Sequence, residues 1–302
     1  MRTSCLINHY NYGQYIGEAV ESVLAQSHAL DEIVVVDDGS DPEHLESVRA
    51  AAASSSHIRL IEKPNGGQLS CFQIAVEESV GDTVFFLDAD DRWEPNYVQR
   101  CLELYEQHST VDFVCTQDRK LHPDGSLQGQ ALPSRDLGYS TARCLEKGGA
   151  WVGAPTSCLS MRRHVLDRIF PVHDISAYRL CADEVLVYGS SLAGARKYFL
   201  GEPLIQYRVH GDNAFYALED SPERAYLRRL HGRSFVEQTR VRLGLPQSLM
   251  DVAHYEFCTI ENPTSRECRE YRRLVWRSRL ALTAKLRVMW GLLSWRFLGR
   301  ML

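Results

Sequence analysis

None of the nine cysteines (5, 71, 101, 115, 144, 158, 181, 258 and 268) pairs with another in a CxxC motif. Several lie inside apolar runs such as Val111-Asp112-Phe113-Val114-Cys115, so they read as reduced core thiols of a cytoplasmic protein. No unbroken span of about 18 apolar residues occurs, which argues against a transmembrane helix. Met1-Arg2-Thr3 leads directly into Ser4-Cys5-Leu6-Ile7, without the long apolar stretch of a signal peptide or anchor. There is no internal repeat, and no low-complexity tract beyond the short run 50–56. With 44% hydrophobic and 24% charged residues, 20 Gly and 11 Pro, collagen-like, coiled-coil and disordered classes are excluded. The tail is acid-free and basic. Residues 271–302 carry eight Lys/Arg and no Asp/Glu, which leaves a charge of −13 on residues 1–270. Such a body lacks the basic field that attracts a polyanion, so nucleic acid is not an expected partner.

The 302 residues suffice for two ordinary domains or one large α/β unit. Through residue 115, strand and helix patterns alternate, which argues for βαβ units around a mostly parallel sheet. Strands are predicted at 5–8, 32–36, 58–62 and 83–87. Ile16, Val20, Val23 and Leu24 recur at helical spacing, and helices are also predicted at 42–53, after Asp41-Pro42, and at 69–79. Each strand runs into polar or Gly-rich residues: Asn8-His9-Tyr10-Asn11, Asp37-Asp38-Gly39-Ser40, Asn65-Gly66-Gly67 and Asp88-Ala89-Asp90-Asp91. Ligands of open α/β sheets bind at the carboxyl ends of strands, so four such ends on one edge make a site. Residues 116–210 are punctuated by Pro and Gly. Beyond 220 the chain reads as helical, over 222–243 and 265–302.

The run Val84-Phe85-Phe86-Leu87-Asp88-Ala89-Asp90-Asp91 is a buried strand ending in carboxylates. If the chain stays extended, Asp88 and Asp90 face the same way. Two carboxylates held together repel unless a cation joins them, and hard oxygen ligands suit Mg2+ or Mn2+. An acidic turn capping the next helix is the competing reading. Val34-Val35-Val36-Asp37-Asp38-Gly39-Ser40 presents a second pair, which a helix cap also explains.

Taken in order, Tyr10-Asn11, Asp37-Asp38-Gly39-Ser40, Asn65-Gly66-Gly67-Gln68, Leu87-Asp88-Ala89-Asp90-Asp91 with Trp93 and Pro95, Ala182-Asp183-Glu184 and Pro203-Leu204-Ile205-Gln206-Tyr207-Arg208-Val209-His210 resemble a family 2 glycosyltransferase with the GT-A fold. The resemblance covers about residues 4–213. It implies a Rossmann-like α/β domain with a central, mostly parallel sheet flanked by helices. Residues 1–115 would be the nucleotide-sugar half and 116–215 the acceptor and catalytic-base half, followed by a helical extension at 216–302. It also implies an inverting, metal-dependent transferase acting on a nucleotide-diphosphate sugar, a UDP-sugar above others. The acceptor would be a glycan, a lipid-linked molecule or a protein. By the same resemblance Asn8 and Tyr10 line the nucleotide pocket, Asp38 binds the base, and Gly66 and Gly67 let the backbone approach the donor. Asp88 and Ala89 belong to the nucleotide-sugar site. Asp90 coordinates Mn2+ or Mg2+, with His210 as a further ligand or diphosphate contact. Asp183 is the general base and Glu184 its backup, a helix N-terminus favouring the ionised carboxylate.

Trp93 and Trp151 offer sugar-stacking faces, against core packing as the alternative. The segment Gly153-Ala154-Pro155-Thr156-Ser157, followed by Arg162-Arg163, resembles the acceptor side. The family pattern is broken at Asn8-His9 and at Cys71-Phe72-Gln73, where bulk is expected to reshape the donor pocket. In the basic tail, Trp and Leu alternate with Arg at helical spacing, which suits either an anionic membrane interface at the inner face or packing on the acidic body. A phosphatase with an Asp nucleophile is disfavoured by Arg92, and a receiver module by the motifs at Asp183 and His210. A non-catalytic nucleotide-sugar-binding or membrane scaffold protein is the remaining alternative.

Overall fold

The computed structural model describes residues 1–173, 175–211 and 221–298. The chain opens with β1 (Thr3–His9), α1 (Ile16–Leu24), β2 (Glu32–Asp37), α2 (Pro42–Ala52), β3 (Ile58–Glu62), α3 (Gln68–Glu78) and β4 (Thr83–Asp88). These strands lie parallel in the order β3-β2-β1-β4. β1, β2 and β4 are near-continuous apolar runs because both faces are covered, as parallel sheets require. Ile16, Ala19, Val20 and Val23 form the buried stripe of α1, and Pro42 opens α2 at a position where its missing N–H costs nothing.

The second half adds β5 (Arg92–Trp93), α4 (Tyr97–Gln107), β6 (Phe113–Leu121), β7 (Leu127–Gln128), β8 (Arg135–Gly138), α5 (Thr141–Lys147), β9 (Leu159–Arg162), α6 (Arg163–Ile169), α7 (Ala182–Leu192) and β10 (Lys197–Arg208). β9 runs antiparallel between β4 and β6, and β10 runs parallel to β6, so one mixed sheet reads β3-β2-β1-β4-β9-β6-β10-β5. The expected α/β architecture, a mostly parallel sheet flanked by helices, is what the chain adopts. Register sets the site. Asn8 stands opposite Asp88 and His9 opposite Asp37, so the carboxyl ends of β1, β2 and β4 share one edge. Six cysteines are buried, Cys181 and Cys268 are partly buried, and Cys258 is exposed.

The C-terminal helices are α8 (Pro222–Arg242), α9 (Ala253–Cys258), α10 (Ser265–Arg277) and α11 (Leu282–Leu298). A single helix from 265 was expected; the structure breaks it at Ser278, whose backbone is extended while its amide still bonds the Leu274 and Val275 carbonyls. The break folds α11 back, so that Val288 and Leu292 join Phe257, Tyr271 and Val275 in a second small core. Arg135–Glu267 and Arg143–Glu270 ion pairs tie that core to the sheet domain. The tail residues 299–302, like the chain at 212–220, lie outside the described residues, as does the side chain of Trp295.

Candidate active site

A cavity of about 1200 Å3 opens at the shared strand edge and extends over α7 to α8. It is lined by Asn8, Tyr10, Asp38, Gly67, Asp88, Ala89, Asp90 and Asp183, so six positions expected to meet the donor, one expected to hold the cation and the expected base converge. Each has a local cause. Asp38 directly follows β2 and is buried; its Oδ1 accepts the Gly66 amide (2.8 Å) and its Oδ2 the Gly67 amide (2.7 Å), and it pairs with Lys63. Gly67 has φ of +92°, and a Cβ there would stand 2.3 Å from the Arg179 Cα, so only glycine fits.

β4 stops at Asp88, and residues 89–90 turn, with the Asp91 amide reaching back to the Asp88 carbonyl (3.1 Å). Extended backbone therefore does not carry Asp90; the turn does, and still delivers it to the cavity. The Asn8 amide, its nitrogen facing Asp88, donates to Asp88 Oδ1 (2.8 Å), as does Gln68 Nε2 (2.7 Å). Burial raises the Asp88 pKa most, and the charges of Asp90 and Asp183 add to it. Asp90 Oδ2 lies 3.1 Å from His210 Nε2, and the His210 ring is flanked by Tyr12 and Tyr15 with centroids 5.4 and 5.0 Å away. Asp91 is not a helix cap: buried, it accepts from Ser157 Oγ (2.6 Å) and the Arg208 amide (2.9 Å), pinning β10 to the acidic turn.

Cys181, in left-handed backbone, starts α7 abruptly, so Asp183 and Glu184 fall in its first turn. Burial pushes Asp183 up to about 6, against the Glu184 amide bonded to its Oδ1. Glu184 rises to about 7 through burial and the Asp183 charge, with Arg228 3.8 Å away opposing the shift.

Several residues had no role assigned from the sequence. Gln68 donates to Asp88 and accepts the Ala182 amide (2.9 Å), so one side chain joins the strand edge to the start of α7. Lys197, wholly buried, donates to the carbonyls of Val152 (3.0 Å) and Val187 (2.7 Å), and burial lowers its pKa to about 7. His9, buried in the cavity wall, has Nδ1 on Asp37 (2.7 Å) and no partner for Nε2 among the described residues. Other expectations need correcting. Phe72 turns into the core against Phe86 and Gln73 holds the Val172 amide; Cys71, not either of these, faces the cavity. Arg162 and Arg163 do not serve the acceptor side, because they clamp the carbonyls of Val111 and Tyr105 and of Gly81 and Val76. Trp93 is core, whereas Trp151 is 43% exposed at the cavity mouth. Arg208 pairs with Glu18 (2.7 Å).

Among the described residues, no three His, Cys, Asp or Glu side chains form a metal cage. Asp90 beside His210 supplies two ligands at most, with Asp88 next to them. That set fits a hard divalent cation that keeps waters and takes its other ligands from substrate phosphates.

The description "Glycosyl transferase family 2" matches residues 4–170, more than half of the chain, and the chain belongs to that family. Its curated relatives include glycosyltransferases, and the chain spans 66% or less of their length. An uncharacterised glycosyltransferase of Nostoc sp. is 36% identical over 220 residues, covering 70% of this chain and 66% of that relative. The chondroitin synthase of Pasteurella multocida is 36% identical over 124 residues, 41% of this chain but only 13% of its own length. Crystal structures of S. aureus TarS 1–349 share the fold: the complex with UDP-GlcNAc has a TM-score of 0.57 at 16% identity, covering 98% of this chain and 81% of that one.

Proposed function

We propose that the chain is an inverting, metal-dependent transferase that moves a sugar from a nucleotide-diphosphate donor, a UDP-sugar above others, to a glycan, lipid-linked or protein acceptor. One observation carries this reading: the acids of the β4 edge and the first-turn acid of α7 line one cavity and are bridged by Gln68. The UDP and UDP-GlcNAc held by TarS support the choice of nucleotide. Residues 1–115 serve the donor and 116–215 the acceptor and base.

A carboxylate has about four acceptor positions. In Asp38 three are used, which leaves one on Oδ2 for a base N–H of the nucleotide, with Asn8 and Tyr10 beside it. Gly67 lets the backbone approach, and Asp88 and Ala89 face the ribose. Asp90 and His210 hold the cation, and when bound, Mn2+ or Mg2+ offsets charge on the departing diphosphate. Asp183, ionised near neutral pH, takes the acceptor hydroxyl proton on the face opposite the leaving group.

We extend the reading to the tail. Leu282, Leu286, Trp290 and Leu293 form one exposed stripe of α11, opposite buried Val288 and Leu292, and Arg287 of α11 and Arg272, Arg273 and Arg277 of the neighbouring α10 are exposed too. A helix apolar on both sides but packed on one suits contact with an anionic membrane surface. Among the described residues no helix is long and apolar enough to cross a membrane.

The test is a thermal-shift panel of UDP, GDP, dTDP and CMP, with and without Mn2+, on the wild type and Asp90→Ala. Stabilisation by one diphosphate, dependent on Mn2+ and lost in the variant, is expected. Folded protein that responds to no nucleotide refutes the donor site.

A further inference from the structure

The far rim of the cavity, away from the β1, β2 and β4 edge, is basic. It is made by Lys147 at the end of α5, the following Gly148-Gly149 and Trp151, and Arg228, Arg229 and Arg233 of α8. Lys147 pairs with Glu270 (2.8 Å), which it shares with Arg143, and Arg228 faces Glu184 (3.8 Å). Arg229 and Arg233 are different: both are exposed, and neither makes an ion pair among the described residues. They sit one helical turn apart, where like charges repel and weaken the helix. An anion bound between them removes that penalty.

Packing fixes the direction of Arg233, while the Arg229 guanidinium rests against the Ala225 carbonyl on its own helix (3.5 Å). Gly148, in left-handed backbone, has no Cβ, and one there would stand 2.7 Å from the Arg233 Cγ, so the arginine stem lies across the end of α5. Gly232, buried, brings α8 against Tyr188 of α7. The basic rim is therefore fastened to the helix that carries Asp183. Arg228 sits against Glu184, the neighbour of that base, and Arg229 and Arg233 continue outward along α8. A molecule presenting its hydroxyl to Asp183 shares the cavity with this rim, whereas the acids proposed above to serve the donor lie at the strand edge.

Resting on the transferase reading above, we propose that the acceptor is an anionic chain. Arg229 and Arg233 bind its carboxylate or phosphate groups, and the exposed face of Trp151 supports a neighbouring sugar ring, aromatic rings offering an apolar platform for such faces. Carboxylate and phosphate present the same charge to a guanidinium, which binds either through paired N–H donors.

The experiment uses the full chain saturated with UDP and Mn2+ and measures binding by ligand-observed NMR. Three probes are compared at low salt: a tetragalacturonate, its methyl ester, and a glycerol phosphate oligomer. One or both anions are expected to bind about three- to tenfold more tightly than the uncharged ester, the gain two exposed charge pairs supply. Preference for the uronate identifies carboxylate as the charge read, and preference for the phosphate oligomer identifies phosphate. The advantage shrinks at physiological salt and collapses in Arg229→Gln/Arg233→Gln, whose melting curve confirms that it folds. Equal binding of acid and ester overturns the proposal, as does an advantage that survives in the double variant or no binding of either anion. A UDP thermal shift on the same samples separates the two ideas. Its absence sinks the donor reading, whereas its presence with no preference for anions sinks the anionic acceptor alone.

Discussion

Asp183→Asn tests the mechanism most directly. Burial holds Asp183 at about 6, so it is about nine-tenths ionised at pH 7 and about one-tenth at pH 5. Transfer by the wild type should therefore fall about tenfold between those values, with unit slope below pH 6. The asparagine keeps the shape but cannot take a proton; turnover should drop by about 100- to 10,000-fold and the acid limb should vanish. Stability moves the other way. An acid whose folded pKa is raised binds more protons folded than unfolded between about 4 and 6, so its cost to the fold grows with pH across that window and is complete above it. Removing the charge should raise stability at pH 7 by about 1–3 kcal/mol and change little below pH 4. Release of nucleoside diphosphate from donor and acceptor, followed from pH 4.5 to 8 in a buffer of constant ionic strength, reads the first effect; urea unfolding reads the second. An Asp183→Asn enzyme retaining a tenth of wild-type turnover, or keeping the acid limb, would refute the assignment of the base.

Gly67→Ala forces a Cβ onto the Arg179 backbone and should cost about 2 kcal/mol or more of stability, read by thermal melting, with loss of the UDP-induced shift. Lys197→Met should cancel a pH effect. With its folded pKa lowered to about 7, Lys197 makes stability rise with pH between about 7 and 10.5, by about 1 kcal/mol per unit relative to the methionine variant; parallel urea curves for the two proteins at pH 7 and 9 would count against it. Cosedimentation with vesicles should be strong for anionic and weak for neutral lipid, and Trp290→Ala with Leu286→Ala should reduce it severalfold; equal binding to both lipids would remove the membrane contact.

The parallel half of the fold was legible because strands covered on both faces are written as unbroken apolar runs, and polar residues at each end announce the edge. The acids were legible for the same reason, although Asp90 arrives by a turn and not along an extended strand. What escaped was tertiary. Nothing near Gln68 says that its amide reaches Ala182, 114 residues away, and Lys197 at the start of β10 looks like any surface cation until Val152 and Val187 close over it. Phe72 and Arg162-Arg163 were assigned to the site because a helix or strand face cannot be oriented from one segment alone. The break at Ser278 is likewise set by the packing of α11 on α9 and not by a local breaker such as Pro or Gly.

The bridge made by Gln68 has a thermodynamic corollary. Its amide is oriented by two partners at once, nitrogen to Asp88 and oxygen to the Ala182 amide, so whatever moves one partner is felt by the other. Free-energy coupling between two binding sites is reciprocal. A ligand that settles on the Asp88 edge and orders the head of α7 must raise affinity for whatever meets Asp183, and the second ligand must return the same factor to the first. An inhibitor built to fill only the Asp88 end would then also report on, and be tuned by, occupancy at the other.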